Sequence, residues 1–328
     1  MTTIAIDAMG GDYAPDEIIQ GAIQGAKRYN IKVLLVGQPD LINQSVKKLD
    51  FPDKCYDIVE ASEVIEMGES AAAIRKKKNA SIIVAAKCVK QGQAQALVAA
   101  GSTGAAMSAA LLYIGRIEGI ERPAIGLVLP SSAPSPCILL DAGANADCTA
   151  EMLTQFALMG NVFMQSVYQI DTPKIGLLNI GEEAGKGNAL ALQTYDQLMH
   201  DGRFQFIGNI EGHNLFTGGA DVAVADGFSG NIALKSAEGV MTMFRSILKN
   251  EFESSQRKKL GYLFAKPALK GAIRHVDPEE FGGALLLGIN GVCVISHGGS
   301  HARAVENAIR VAVHAIETKV IDRITSQI

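Results

Sequence analysis

Lys174-Ile-Gly-Leu-Leu-Asn179-Ile-Gly-Glu-Glu-Ala-Gly-Lys186-Gly-Asn188 joins an apolar run to a glycine-rich turn that carries a lysine, and a helical pattern starts at Asn188. A strand that ends in such a turn and passes into a helix aims backbone N–H groups and a helix N-terminus at one point, which favours an anion. Lys186 adds a full positive charge there. The segment is not a Walker loop, in which Gly-Lys follows the first glycine by four intervening residues and precedes Ser or Thr; here Gly187 follows Lys186. It reads as a phosphate-type site without an NTPase.

Outward from this stretch the same alternation covers the chain. Short aliphatic runs lie at 3–8, 32–37, 94–100, 124–129, 137–141, 174–179, 204–209, 221–225 and 292–296. Helical patterns lie between them at 15–29, 104–117, 150–164, 188–199, 230–251 and 302–324. Nearly all-apolar strands separated by helices predict an α/β fold, a mostly parallel sheet covered by helices on both faces. No fixed-period repeat, low-complexity tract or Pro/Gly/Ser linker divides the 328 residues, so one domain over 1–328 is expected.

Ligands in such sheets sit outside the carboxyl ends of the strands. The seven ends at 7–12, 100–105, 141–147, 181–188, 209–213, 226–231 and 296–301 each pair glycine with Asp, Asn, Ser, Thr or His. Taken singly, each also reads as ordinary turn and N-cap chemistry. Together they are expected to converge on one edge.

The remaining composition excludes several classes. A net charge of −4 gives no global support to a nucleic-acid partner. Five scattered cysteines without Cys-x-x-Cys spacing fit a reduced cytoplasmic compartment. The N-terminus has no leader pattern, and no apolar segment is long enough to span a bilayer, so a soluble protein is expected. Gly10-Gly11-Asp12-Tyr13 follows the first strand where a dinucleotide fold needs Gly-x-Gly-x-x-Gly, and it sets an acid where a pyrophosphate would lie. Gly-x-Ser-x-Gly is absent, and His297 and His301, four apart, lack the His-Glu-x-x-His context of a metal site. The expected chemistry uses no cofactor, no metal and no protein nucleophile, with the bound anion as the reactant.

Asp7-Ala-Met-Gly-Gly-Asp12-Tyr-Ala-Pro15, Ala100-Gly-Ser-Thr-Gly-Ala105, Leu140-Asp-Ala-Gly-Ala-Asn145, Asn179-Ile-Gly-Glu-Glu183 with Lys186-Gly-Asn188, Asp226-Gly-Phe-Ser-Gly-Asn231-Ile-Ala-Leu-Lys235 and Ser296-His-Gly-Gly-Ser300 together resemble the PlsX-type phosphate acyltransferases. The resemblance runs over essentially the whole chain. Ser102 and His213 depart from it, standing where Asn and Arg are common. It implies a Rossmann-like fold related to phosphotransacetylases, a homodimer, and transfer of a long acyl chain from acyl carrier protein to inorganic phosphate. The acyl phosphate would serve a downstream glycerol-3-phosphate acyltransferase in phospholipid synthesis. A phosphotransacetylase or phosphotransbutyrylase using acyl-CoA, and a non-catalytic membrane-recruited scaffold, are the alternatives; a nicotinamide dehydrogenase is disfavoured by the missing glycine fingerprint.

Phosphate is already largely dianionic near neutral pH, so such a reaction gains most from binding and orienting the anion. Lys186, the turn of Gly101, Ser102, Thr103 and Gly104, and the turn from Gly298 to Ser300 are the candidates for that task. Asn188, Asn231 and the amide of Asn145 are candidate donors to the thioester oxygen. His297 is the best proton donor by type for the leaving thiol, and Asp226 is a candidate to orient that histidine or the phosphate. For Asp226 and Asn231 a plain N-cap turn stands as the alternative. Asp7 and Asp12 read better as braces of the crevice than as contacts to an anion.

Two basic stretches point to partners. Arg75-Lys76-Lys77-Lys78 suits docking of an acidic carrier protein, against the alternative of a solvated helix face. From 256 to 274, cations including Lys258 and Lys259 flank Leu260, Tyr262, Leu263, Phe264 and Leu269. That is the composition of an interfacial anchor for anionic membrane, or of a dimer contact. A protruding helical hairpin at about 252–275, in reversible contact with a membrane surface, is expected.

Overall fold

The computed structural model describes residues 1–49, 55–69, 71–275 and 278–328. The first stretch alternates as the sequence predicts: β1 (Thr3–Asp7), α1 (Asp16–Tyr29), β2 (Lys32–Gly37), α2 (Pro39–Lys47), β3 (Tyr56–Glu60), α3 (Ser81–Lys90), β4 (Ala96–Ala99) and α4 (Thr103–Ala109). The middle continues with β5 (Ala124–Leu129), β6 (Cys137–Leu140), α5 (Ala150–Val167), β7 (Lys174–Leu178), α6 (Ala189–His200), β8 (Gln205–Ile210), α7 (Asn214–Thr217) and β9 (Val222–Val224). The last stretch holds α8 (Gly227–Glu253), α9 (Gln256–His275), α10 (Pro278–Phe281), β10 (Ala284–Leu287), β11 (Val292–Ile295), α11 (Ala302–Glu317) and α12 (Val320–Thr325).

Among the described residues eleven strands join one sheet in the order β3-β2-β1-β4-β11-β10-β5-β6-β9-β7-β8. Pairing is parallel from β3 to β11 and again from β6 to β8, so the fold is α/β with a mostly parallel sheet. β10 runs antiparallel to both β11 and β5, and β6 runs antiparallel to β5. Strand direction therefore reverses between the two parallel halves. Asp7, Ala100 and Ser296 end strands on one edge, whereas Asp141, Asn179 and Asp226 follow strands that end on the opposite edge. This corrects the expected convergence on a single edge: β10 is antiparallel to both its neighbours and so leaves β5 running with β11, and the net reversal comes from the antiparallel β5–β6 pair. Adjacent strands are rotated by about 20–25°, so the five steps from β4 to β9 turn the sheet by about 100–125°. Both edges can thus face one crevice.

Each face of the sheet carries its own core. α1, α2, α5, α6, α11 and α12 bury Ile18, Ile19, Phe156, Val305 and Ile309 against one face. α3, α4, α7 and the inner side of α8 cover the other with Ile83, Ala105, Leu215 and Leu234. The chain's start and end interlock: a side chain at Gly21 of α1 would collide with the Ala302 carbonyl and Val305 of α11. Arg28 Nη1 lies 2.8 Å from Glu306 Oε1 across the same contact.

Three helical expectations change. The pattern at 302–324 is two helices, because Lys319 adopts φ 52° and breaks the run. The pattern at 104–117 ends at Gly115, φ 93°, after a π-helical turn over Ala110–Ile114. The hairpin does not begin near 252: its first arm is all 27 residues of α8, about 40 Å long at 1.5 Å per residue, and α9 returns after Ser254 and Ser255.

Candidate active-site crevice

On the first edge three glycine turns meet. A side chain on Gly10 would lie 3.1 Å from the Gly101 Cα and 2.6 Å from Asp7 Oδ2, so the turns after β1 and β4 touch backbone to backbone. Asp12 N donates to Gly298 O at 2.9 Å, and Ser296 N to Ala99 O at 2.8 Å, which ties in the turn after β11. Ser102 Oγ caps α4 by accepting the Ala105 N–H at 3.5 Å. Ser296 Oγ and Ser300 Oγ share a hydrogen bond of 2.8 Å.

His297 stands exposed at this rim, and its Nδ1 accepts the Gly299 N–H at 3.1 Å. In the neutral ring the hydrogen is then on Nε2, the correct state for a donor. The N-terminus of α11 is occupied from within, since Ala302 N donates to Glu17 Oε2 at 2.7 Å. Asp7 lies beneath the turns with 4% exposure. Burial pushes its carboxyl up to about 6, against the pull of the Ser81 hydroxyl and the Met9 and Gly10 N–H groups.

On the second edge Asp141 organises the turn after β6. It is fully buried, and its carboxylate accepts the N–H groups of Ile125 (3.0 Å), Gly143 (3.1 Å), Ala144 (2.9 Å) and Asn145 (2.7 Å). Burial still raises it above the usual carboxylate range. Asn145 Nδ2 donates both to Pro123 O at 2.8 Å and to Asp141 Oδ2 at 2.9 Å. Its two amide hydrogens are spent on the turn, which corrects the expectation that they serve a thioester oxygen.

Asp226 is the N-cap of α8: Oδ1 accepts the Ser229 N–H at 2.7 Å and Oδ2 the Ser229 hydroxyl at 3.1 Å. It does not pair with His297, whose Nδ1 faces Gly299. A side chain at Gly230 would run into the Asp141 carbonyl, so glycine lets the first turn of α8 close onto the Asp141 loop. That contact sets Asn231 against Gly143.

The Lys186 turn lies farther along this edge. Asn179 Nδ2 donates to Lys186 O at 3.0 Å, and the Glu183 carbonyl accepts Lys186 N at 3.0 Å and Asn209 Nδ2 at 2.8 Å. Asn188 Oδ1 caps α6 by accepting the Ala191 N–H at 2.9 Å. The Lys186 side chain is exposed, its stem lying over Gly181.

Between the edges, on the face covered by α8, runs a crevice of about 1200 Å³. Ile125, Leu127 and Leu129 of β5 line it, with Leu215, Phe216 and the inner side of α8. Thr103, Ser296, His297 and Ser300 rim it from the first edge, Gly143 and Asn231 from the second. Of the residues expected from sequence, it gathers Thr103, His297, Ser300 and Asn231. Asp7, Gly101, Ser102, Gly104 and Gly298 form or support the first-edge turns, and Asn145 and Asp226 the second; Lys186 and Asn188 stand outside the lining. Sequence reasoning missed Ser296, Leu127, Phe216 and Arg245 as lining residues; alternation of Ile125, Leu127 and Leu129 along one strand is the signal that marks the floor.

The partner-facing stretches divide. Lys77 Nζ is held by Glu69 Oε2 at 2.6 Å and Val64 O at 2.7 Å, so it is withdrawn from docking, while Arg75, Lys76 and Lys78 are exposed. On α9, Leu260, Tyr262, Leu263 and Phe264 are exposed, Phe264 by 82%. Lys258 pairs with Glu251 at 2.5 Å, and Lys259 is exposed. Leu269 lines an apolar groove of about 810 Å³ inside the hairpin with Leu248, Phe252 and Ile273, a groove that Leu260, Tyr262 and Leu263 also border. The outer side of α8 exposes Phe228, Ile232, Met243, Phe244 and Ile247. Among the described residues no helix is long and apolar enough to cross a membrane.

The family model described as fatty acid synthesis protein matches residues 2–323. A phosphate acyltransferase of Trichodesmium erythraeum is 49% identical over 329 residues, covering 99% of this chain and 96% of the relative. One of Heliobacterium modesticaldum is 49% identical over 327 residues, covering 99% and 97%. Among solved structures, a phosphotransacetylase from Streptococcus pyogenes aligns with TM-score 0.61 at 20% identity, covering 96% of this chain and 94% of that one. A branched-chain phosphotransacylase from Enterococcus faecalis V583 aligns with TM-score 0.59 at 16% identity, covering 96% and 100%. At these identities the structural likeness supports the fold.

Proposed function

This chain belongs to the phosphate acyltransferases of the fatty acid synthesis protein family, and from that premise we propose how its crevice moves a long-chain acyl group from acyl carrier protein to inorganic phosphate, with residues 1–328 working as one unit. The observation that carries the reading is the shared crevice, in which hydroxyls and an imidazole from one half of the sheet face an amide from the other across an apolar floor.

A phosphate oxygen attacks the thioester carbonyl carbon, the C–S bond breaks, and the carrier thiol leaves with a proton. The Gly101–Gly104 and Gly298–Ser300 turns, with the hydroxyls of Thr103 and Ser300, hold the phosphate at the first rim, where short glycine contacts let backbone N–H groups approach it. Lys186, outside the crevice lining on the β7 turn with Asn188 beside it, draws the anion toward the site by its charge and not by contact. Asn231 donates to the thioester oxygen, and the Asp226 cap and Gly230 contact are positioning devices for it. The proton on the departing thiol comes from the hydrogen phosphate itself, whose acyl product is ionised near neutral pH, and His297, its ring held by the Gly299 N–H, donates a hydrogen bond from Nε2 to the leaving sulfur. Asp7 and the Asn145–Asp141 pair brace the two sets of turns.

The exposed Arg75, Lys76 and Lys78 offer an acidic carrier protein its docking charges. The apolar outer side of α8 suits a homodimer contact, and the exposed Leu263 and Phe264 on α9, with Lys259, suit reversible contact with anionic membrane from the cytoplasm. There the product would pass to glycerol-3-phosphate acylation.

Purified protein given palmitoyl-acyl carrier protein and labelled phosphate should release carrier thiol and form labelled acyl phosphate. Asn231→Ala should lower kcat/KM by about 100-fold, the scale of losing one charge-stabilising donor, and Lys186→Ala by about threefold, an effect that fades with added salt. Turnover with palmitoyl-CoA but none with the carrier thioester would replace the carrier by CoA as donor; no turnover with either would remove the enzymatic reading.

A further inference from the structure

The apolar body of the crevice has no role in the steps above, yet it makes up most of the cavity. About 1200 Å³ exceeds the roughly 300–1,000 Å³ of ordinary ligand pockets. A phosphate and a thioester head occupy only its polar rims. Ile125, Leu127 and Leu129 alternate along β5 and present one apolar face. Opposite them α8 turns Ala233, Ala237 and Met241 inward at intervals of four, one stripe of a helix. The alanines leave open space where larger residues would meet the floor.

We propose that the acyl chain of the substrate lies in this space, along β5 and beneath α8, and that Ala233, Ala237 and Met241 set the chain length the enzyme accepts. This rests on the acyltransferase reading and adds to it the place and the measure of the chain. The dimensions agree. Six strand residues at about 3.3 Å each give a floor of about 20 Å. An extended alkyl chain advances about 1.3 Å per carbon for C–C bonds of about 1.5 Å, so the floor accommodates about fifteen carbons. Each methylene buried there strengthens binding by about fourfold, which makes long chains the preferred ones.

The test is a series of acyl-carrier thioesters from butyryl to stearoyl, assayed for acyl phosphate with wild type, Ala237→Phe and Met241→Ala, each checked for folding by thermal unfolding. Ala237→Phe should cut the palmitoyl-to-butyryl ratio of kcat/KM at least tenfold. Met241→Ala, which only removes volume, should shift the optimum toward longer chains, so the inference stays testable if the phenylalanine variant does not fold. Turnover by wild type with a chain-length profile that neither variant changes would overturn the placement alone. No acyl phosphate from any thioester would overturn the acyltransferase reading and this inference with it.

Discussion

Asp7 shows how a single buried group links stability to pH. Its carboxyl is pushed up from an ordinary value of 3.8 to about 6, so the folded state binds its proton more tightly than the unfolded chain does. Stability from this group is therefore complete below pH 3.8 and is lost as pH rises through 6. Two units correspond to about 3 kcal/mol. Between pH 4 and pH 7 the stability of Asp7→Asn relative to wild type should rise by about that amount in urea unfolding; a constant difference across the range would refute the buried-acid account. Other residues were legible for a related reason. Thr103, His297 and Asn231 sit beside glycine at strand ends, where ordinary turn and N-cap chemistry looks the same residue by residue and only its recurrence along the chain pointed to a crevice. Leu127 and Phe216 were not legible, because an apolar residue lining a cavity has the same sequence appearance as one in the core. Lys77 read as a docking charge because its partners Glu69 and Val64 O approach it only through the folded loop.

Elements were legible to the extent that they repeat one pattern. The nine strands read from sequence all exist, each an apolar run. The edge strand β3 is Tyr-Asp-Ile-Val-Glu, half polar along its length, and it gave no such run. β10 is four residues between glycines and equally suits a helix. The hairpin was legible at its charged return arm but not in α8, where apolar residues face both the crevice (Leu234, Met241) and the outside (Ile232, Phe244), so no single stripe marks the helix. Its return arm has a clear expected behaviour. Phe264→Glu replaces an 82% exposed apolar ring by an anion and should weaken co-sedimentation with anionic vesicles tenfold or more. Sedimentation unchanged by the substitution would leave this face of the return arm without a membrane role, and the activity on soluble substrate serves as the folding control.

At the scale of the whole molecule, fold class could be read from strand–helix alternation, but the mutual orientation of the strand ends could not. It depends on which strands pair antiparallel, and the reversal is set where β6 turns back antiparallel along β5, since β10 lies antiparallel to both its neighbours and cancels its own effect. The direction reversal builds a crevice from two half-sites instead of one edge, and this is why only some of the expected residues share it.

The same sheet order has a consequence for how the protein is made. β4 is complete once residue 99 has been synthesised, yet its second partner, β11, arrives only at Val292. α1 likewise waits for α11. The half running from β6 to β9 is contiguous in sequence and lacks nothing from the C-terminus for its strand pairing. Synthesis order and folding order therefore oppose each other: the first half to leave the ribosome is the last to close, with the edge of β4 open in the interval. Nascent chains stalled before Val292 should stay protease-sensitive across α1 to β4 while 137–224 gains protection. Early protection of the N-terminal part would mean that β4 finds a substitute partner on the way.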